Sequence, residues 1–134
     1  MRSVSEIIEA RGGWARLATH PITVEVPGFM DLHLEWCGTG PRGGRMLSVA
    51  HTYLQQGDVM HDPEVVVEFF PEAGWWLPLS YRQDNLGVYR EAVSLEGDGL
   101  VVRSRVVREL QQFLKLWDAN LREQGFVDAA RKPT

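Results

Sequence analysis

The sequence predicts a two-layer α+β sandwich: an antiparallel sheet of four to six strands, covered by an N-terminal helical segment and a long C-terminal helix. Apolar residues recur at helical spacing near both ends of the chain, and they alternate with polar residues in between. The connections between the predicted strands are short, which favours antiparallel neighbours. With 134 residues and 44% hydrophobic content, the chain fits one domain spanning residues 1–134.

The first element is a helical segment over residues 3–18. Ser3 followed by Glu6 matches a capping box, which predicts the start of the helix. Gly12 and Gly13 interrupt the segment, so we expect a break or two short helices. The apolar stripe of this segment comprises Ile7, Ile8, Trp14 and Leu17.

Strand signals fill the centre of the chain. Alternation and apolar runs predict strands at 22–26, 31–37, 45–54, 64–70, 75–81 and 88–93, the last two on weaker signals. Residues 56–63 are expected to connect two strands. The glycine-rich segment 38–44 leads into a strand rather than a helix, so we predict a hairpin loop there and not a phosphate-binding loop. Residues 97–99, Gly-Asp-Gly, should break the chain before the last helix.

The last helix is predicted from apolar residues that are three or four positions apart and so form one face. They are Val106, Leu110, Phe113, Trp117 and Leu121. We expect Phe113 and Trp117 to pack onto the sheet. Gly125 is a natural C-cap residue, and the tail from about residue 127 is expected to be frayed.

Composition bounds the classes of function. A net charge of -4 argues against a general nucleic-acid binder, which usually carries a basic excess. The single cysteine, Cys37, cannot form an internal disulfide. The sequence has neither a signal-peptide pattern nor a run of about 18 apolar residues. We therefore expect a cytoplasmic protein with no membrane association.

The middle of the chain carries the clearest candidate binding surface. Between Met46 and Tyr81 there is no Lys or Arg, and an aromatic segment with both charge signs, residues 75–91, follows the acidic stretch. Tyr, Trp and Arg are the residues that dominate protein interfaces. The predicted binding residues are Asp58, Asp62, Glu64, Glu68, Trp75, Trp76, Tyr81, Arg82, Asp84, Tyr89 and Arg90. The predicted function is a non-enzymatic interaction with a protein partner; a homodimer through an edge strand or the aromatic segment stays open.

Two alternatives remain beside this prediction. A small metal-dependent hydrolase could use His51, Asp58, His61 and Asp62, although their spacing matches no established ligand set. A nucleic-acid binder could use the basic residues of the last helix, Arg103, Arg105, Arg108, Lys115 and Arg122, for which a solvated face is the favoured interpretation.

Nucleophilic catalysis has weak support. Cys37 could pair with His33 or His51, but nothing in the sequence indicates a lowered thiol pKa, and we expect a small buried side chain. No Gly-x-Ser-x-Gly elbow surrounds Ser48 or Ser80. We predict no catalytic residue, no metal site and no cofactor, so whether the protein is an enzyme stays open, with the non-enzymatic interpretation preferred.

One pattern runs through two stretches of the chain: Asp62-Pro63-Glu64, then Gln83-Asp84-x-Leu86-Gly87-x-Tyr89, then a closing helix from Trp117 to Gln124-Gly125-Phe126. It resembles an uncharacterised family of small proteins from bacterial plasmids, phages and integrated elements. The resemblance covers residues 45–126. It implies a mobile-element accessory protein or counter-defence factor that acts on a host protein, and it implies no catalytic residues.

Overall fold

The computed structural model describes residues 1–133 and contains a six-stranded sheet in which every strand is antiparallel to its neighbours. The strands follow one another in chain order, so each is joined to the next by a short connection. They are β1 (Ile22–Val24), β2 (Asp31–Thr39), β3 (Arg45–Gln55), β4 (Asp58–Phe70), β5 (Trp75–Gln83) and β6 (Val88–Glu91). The predicted α+β class and the antiparallel sheet are confirmed.

Within residues 1–133, four α-helices accompany this sheet: α1 (Arg2–Ala10), α2 (Gly13–Leu17), α3 (Ser104–Glu123) and α4 (Phe126–Arg131). The break at Gly12 and Gly13 is as predicted. The apolar faces of the helices and one face of the sheet form the main core, which includes Ile7, Ile8, Val24, Leu34, Val49, Val65, Val67, Leu114, Leu121 and Phe126. Phe113 and Trp117 of α3 pack toward the sheet, where the Phe113 ring lies edge-on to Tyr81 and the Trp117 ring lies 5.5 Å from His51. No helix within residues 1–133 is long and apolar enough to cross a membrane.

The start of α1 differs from the predicted capping box. The N-cap residue is Met1, and neither Ser3 nor Glu6 caps the helix. Instead the carboxylate of Asp118, on α3, accepts hydrogen bonds from the backbone N–H groups of Ser3 (3.0 Å) and Val4 (3.3 Å). The prediction was wrong because a carboxylate from the other end of the chain satisfies the free N–H groups of the first turn.

Strand β4 begins six residues earlier than predicted. Gln56 and Gly57 both have positive φ (52° and 87°), which gives a tight turn that continues β3 directly into β4. Pro63 is tolerated inside the strand because the pairing of β3 with β4 shifts register between Ala50 and Thr52, opposite this position. A proline at such a bulge removes no regular ladder hydrogen bond.

A second, two-stranded sheet was not predicted. The chain pairs β7 (Val93–Glu96) with β8 (Gly99–Val102), and Gly97-Asp98 forms the turn where a simple break was expected. Ala92 and Val93 lie in a small core with Leu79 and Leu110. This hairpin therefore links the end of the main sheet to the start of α3.

The expected frayed tail is also wrong. Gly125, at φ 93°, ends α3 and begins α4, in which Phe126, Val127 and Ala130 are buried. The apolar stripe that sequence assigned to α3 alone continues past the glycine, so the last helix belongs to the core.

Candidate protein-binding surface

The predicted acidic surface is not one exposed patch, and Glu68 shows this most clearly. Its side chain is fully buried beneath the β2–β3 loop, where Oε2 accepts hydrogen bonds from the N–H groups of Arg42 (2.9 Å) and Gly44 (2.8 Å). Oε1 has no partner among the described residues. A Cβ added to Gly40 would lie 2.5 Å from this carboxylate. Glu68 therefore holds a loop in place and offers nothing to a partner.

Three other predicted binding residues, Glu64, Arg82 and Asp84, interact with one another within the fold. Asp84 accepts hydrogen bonds from the backbone N–H of His61 (2.8 Å) and from the guanidinium of Arg82. Arg82 also lies 3.9 Å from Glu64, which accepts a hydrogen bond from Ser48 (2.7 Å). This network ties β3, β4 and β5 together on the sheet face opposite the helices.

The aromatic segment divides between core and surface. Trp76 packs against Phe69, with ring centroids 4.3 Å apart, and Tyr81 packs against Phe113. Arg90 forms an ion pair with Glu109 of α3 at 2.6 Å. Of the predicted binding residues, the well-exposed ones without such partners are Asp58, Trp75 and Tyr89, which lie on three different strands.

The residues of the metal-site alternative do not converge. His51 is buried beneath α3, Asp58 is exposed beside the β3–β4 turn, and His61 is bonded to Asp84. Only Asp62 lies near His51, since both line one cavity. Residues 1–133 contain no group of three or more His, Cys, Asp or Glu side chains arranged to hold a metal ion.

Cys37 lies in β2 as predicted, but its side chain is exposed rather than buried. Partial desolvation of the thiol, and to a smaller extent the charges of Glu35 and Glu64, raise its pKa and so disfavour the reactive thiolate.

Two of the basic residues predicted for the last helix have acidic partners within the fold: Arg103 pairs with Glu96 at 3.0 Å, and Arg122 pairs with Glu6.

An exposed apolar surface lies instead at one end of the sandwich. The turn before β2 presents Phe29 and Met30, and the β3–β4 hairpin presents Leu54 and Val59, which are 73% and 55% exposed. Together with Tyr53 and neighbouring residues they line a concavity of about 800 Å³. We call this feature the apolar concavity. Exposing apolar side chains to water costs free energy, so a contiguous group of them on the surface indicates a docking site.

Carboxylates border the apolar concavity. Asp31 lines it, and Asp62 lines a neighbouring cavity that shares Phe29 and Met30 with it. Among the described residues, no Lys or Arg lines the concavity. The arrangement suits a partner that combines apolar and basic side chains.

A smaller cavity of about 240 Å³ adjoins this concavity and shares Phe29 and Met30 with it. We call it the aromatic cavity. It lies where the second half of α3 passes over the β3–β4 bulge, and its other lining residues are His51, Asp62, Pro63, Phe113, Trp117, Asn120 and Gln124. The bulge places Asp62 and Pro63 beneath the helix, because a β-bulge changes the direction in which nearby side chains point.

His51 is the buried polar group of the aromatic cavity. Its Nδ1 lies 3.0 Å from the carbonyl oxygen of Met30 and 3.3 Å from that of Asp31, and its ring packs between Trp117 and Phe126. A carbonyl only accepts, so Nδ1 carries the proton and Nε2 of the neutral ring is an acceptor. Burial lowers the pKa of His51, while the two carbonyls and the charge of Asp62 oppose that shift.

Sequence reasoning missed Phe29 and Met30 altogether. The available signal was their position directly after the Pro27-Gly28 turn, where bulky apolar residues have no strand neighbours to cover them. Leu54, which lies two residues before the Gln56-Gly57 turn, gives the same signal.

Comparison with known proteins gives a family but no activity. A family model described as "Domain of unknown function (DUF6908)" matches residues 2–127. The match confirms an uncharacterised domain family, and it includes the N-terminal helices, which the resemblance over residues 45–126 left out. No curated protein and no solved structure matches the chain.

Proposed function

Because the chain belongs to this family of unknown function, we propose a role from its surface: it is a non-enzymatic protein-binding module. The binding surface is the apolar concavity with its border of carboxylates. The proposal keeps the protein partner inferred from the sequence and moves the contact from the acidic strand and aromatic segment to the end of the sandwich.

The observation that carries the proposal is the exposure of Leu54, Val59, Phe29 and Met30 on two separate turns that meet at one place. A tight β-hairpin needs no large apolar residue near its turn, so folding alone gives no reason for Leu54 to be there. Apolar anchors within a polar rim are the usual anatomy of a protein interface.

The charge of the border selects the class of partner. Asp31 in the concavity and Asp62 in the cavity beside it are negatively charged, and a complementary partner presents basic residues around an apolar anchor. The resemblance to proteins of plasmids, phages and integrated elements favours a cytoplasmic host protein, bound by an accessory or counter-defence factor.

The test compares two single substitutions of exposed leucines. Leu54→Asp places a charge in the apolar concavity, and Leu116→Asp places the same charge on α3, where Leu116 is 62% exposed. Each purified variant, beside the unmodified protein, is used to capture proteins from a cytoplasmic extract of the native host, and the captured partner is then titrated in purified form.

We expect the unmodified protein and Leu116→Asp to bind the same partner, with affinity for Leu54→Asp at least about tenfold weaker, as for a substituted interface anchor. Equal binding by Leu54→Asp would overturn the assignment of this surface. Absence of any specific partner, with all three proteins folded, would contradict the protein-binding function itself.

A further inference from the structure

We infer that the aromatic cavity receives an arginine side chain of the partner, an inference that rests on the protein-binding function proposed above. The cavity adjoins the apolar concavity through Phe29 and Met30, so a segment lying in the concavity can place one side chain into it. At about 240 Å³ its volume suits a single long side chain better than a drug-sized ligand.

The walls of the cavity suit a flat cation. Phe29, Phe113 and Trp117 supply three aromatic rings. A guanidinium group is planar and weakly hydrated, so it stacks on aromatic faces while its edge stays free for hydrogen bonds. Phe113 and Trp117 are held by their own packing, with ring centroids 5.5 Å apart, so these walls are formed before any ligand arrives.

The polar residues that line the aromatic cavity supply several hydrogen-bond acceptors. Nε2 of His51 accepts because Nδ1 donates to backbone carbonyls. Asp62 adds a carboxylate, and Asn120 and Gln124 of α3 each add an amide oxygen. A guanidinium has five N–H donors in a fixed fork, whereas an ammonium has three, so this set of acceptors favours arginine over lysine.

The charge of the cavity agrees with this assignment. Asp62 is negative, and in the described part of the chain no Lys or Arg lines the cavity. Burial lowers the pKa of His51, so the imidazole is neutral near neutral pH and does not repel a cation. The remaining lining residues carry no charge.

The test uses two small probes, Nα-acetyl-arginine methylamide and Nα-acetyl-lysine methylamide. Each is titrated into ¹⁵N-labelled protein, and the indole N–H signal of Trp117 is followed by NMR. The same titrations are made with Asp62→Asn, which removes the charge in the cavity, and with Asp58→Asn, which removes an exposed carboxylate outside it.

We expect saturable shifts at Trp117 with the arginine probe, weaker binding of the lysine probe, and a loss of about tenfold in affinity for Asp62→Asn alone, since a charge-assisted hydrogen bond is lost. Shifts that do not saturate, equal binding of both probes, or equal effects of the two Asn variants would overturn the inference.

The outcome separates the two proposals. Saturable arginine binding without any captured host partner would leave the cavity assignment standing while the protein-binding function fails. Capture of a partner through Leu54 without a response to the arginine probe would overturn the cavity assignment alone.

Discussion

At the scale of single residues, Asp84 links stability to pH. The hydrogen bond from the His61 backbone N–H, assisted by Arg82 and the His61 ring, lowers the pKa of Asp84 from 3.8 to about 2. The folded state therefore binds the proton less tightly than the unfolded chain does. The stabilising contribution of the carboxylate is complete above about pH 4 and is lost as pH falls toward the folded-state pKa.

Substitution of Asp84→Asn is expected to lower the free energy of unfolding by about 1 kcal/mol near neutral pH, because a charged acceptor of several hydrogen bonds is lost. The difference from the unmodified protein should shrink as pH falls below about 4. Urea unfolding across this pH range measures it. Glu72→Gln, an exposed carboxylate in the β4–β5 turn, is the control; a pH-independent difference for Asp84→Asn would contradict the assignment.

The predicted binding residues stay a prediction, but several of them have partners within the fold that sequence did not indicate. Glu68, Arg82 and Arg90 were expected to meet a partner, yet each has an internal partner in the fold. Alternation along a strand indicates which face a residue occupies, but the loop that covers Glu68 comes from another part of the chain. Burial of a charge by a loop has no local sequence signal.

At the scale of elements, the β2–β3 loop depends on one side chain. We expect Glu68→Ala to lower the free energy of unfolding by about 2–4 kcal/mol, because two hydrogen bonds from Arg42 and Gly44 to a charged acceptor are lost. Glu68→Gln keeps an oxygen acceptor of the same size, so its loss should be clearly smaller. Urea denaturation compares the two variants, and equal losses would show that the loop is held by other contacts.

The long elements were predictable because their signals are local and repeated. Helix α3 and strand β3 each carry a periodic pattern over many residues. The β7–β8 hairpin and the early start of β4 were missed because both depend on two-residue turns, at Gly97-Asp98 and Gln56-Gly57, which resemble ordinary chain breaks. The cavity beneath α3 depends on a bulge, whose position is set by pairing between strands.

At the scale of the whole molecule, the last helix completes the core. Phe126 is fully buried, so we expect Phe126→Ala to lower the free energy of unfolding by about 3–5 kcal/mol. The matched control is Leu116→Ala on α3, where the side chain is exposed and the change should be within about 0.5 kcal/mol. Thermal or urea unfolding decides, and similar small losses for both would mean that α4 does not contribute to the core.

The two chain ends also form one layer. Asp118 holds the first turn of α1, and α3 and α4 cover the rest of the same sheet face. During synthesis the six strands emerge from the ribosome before α3 does, and the apolar face they share stays open to water and to other chains until then. Folding of this domain on the ribosome is therefore finished only after α3 and α4 have emerged.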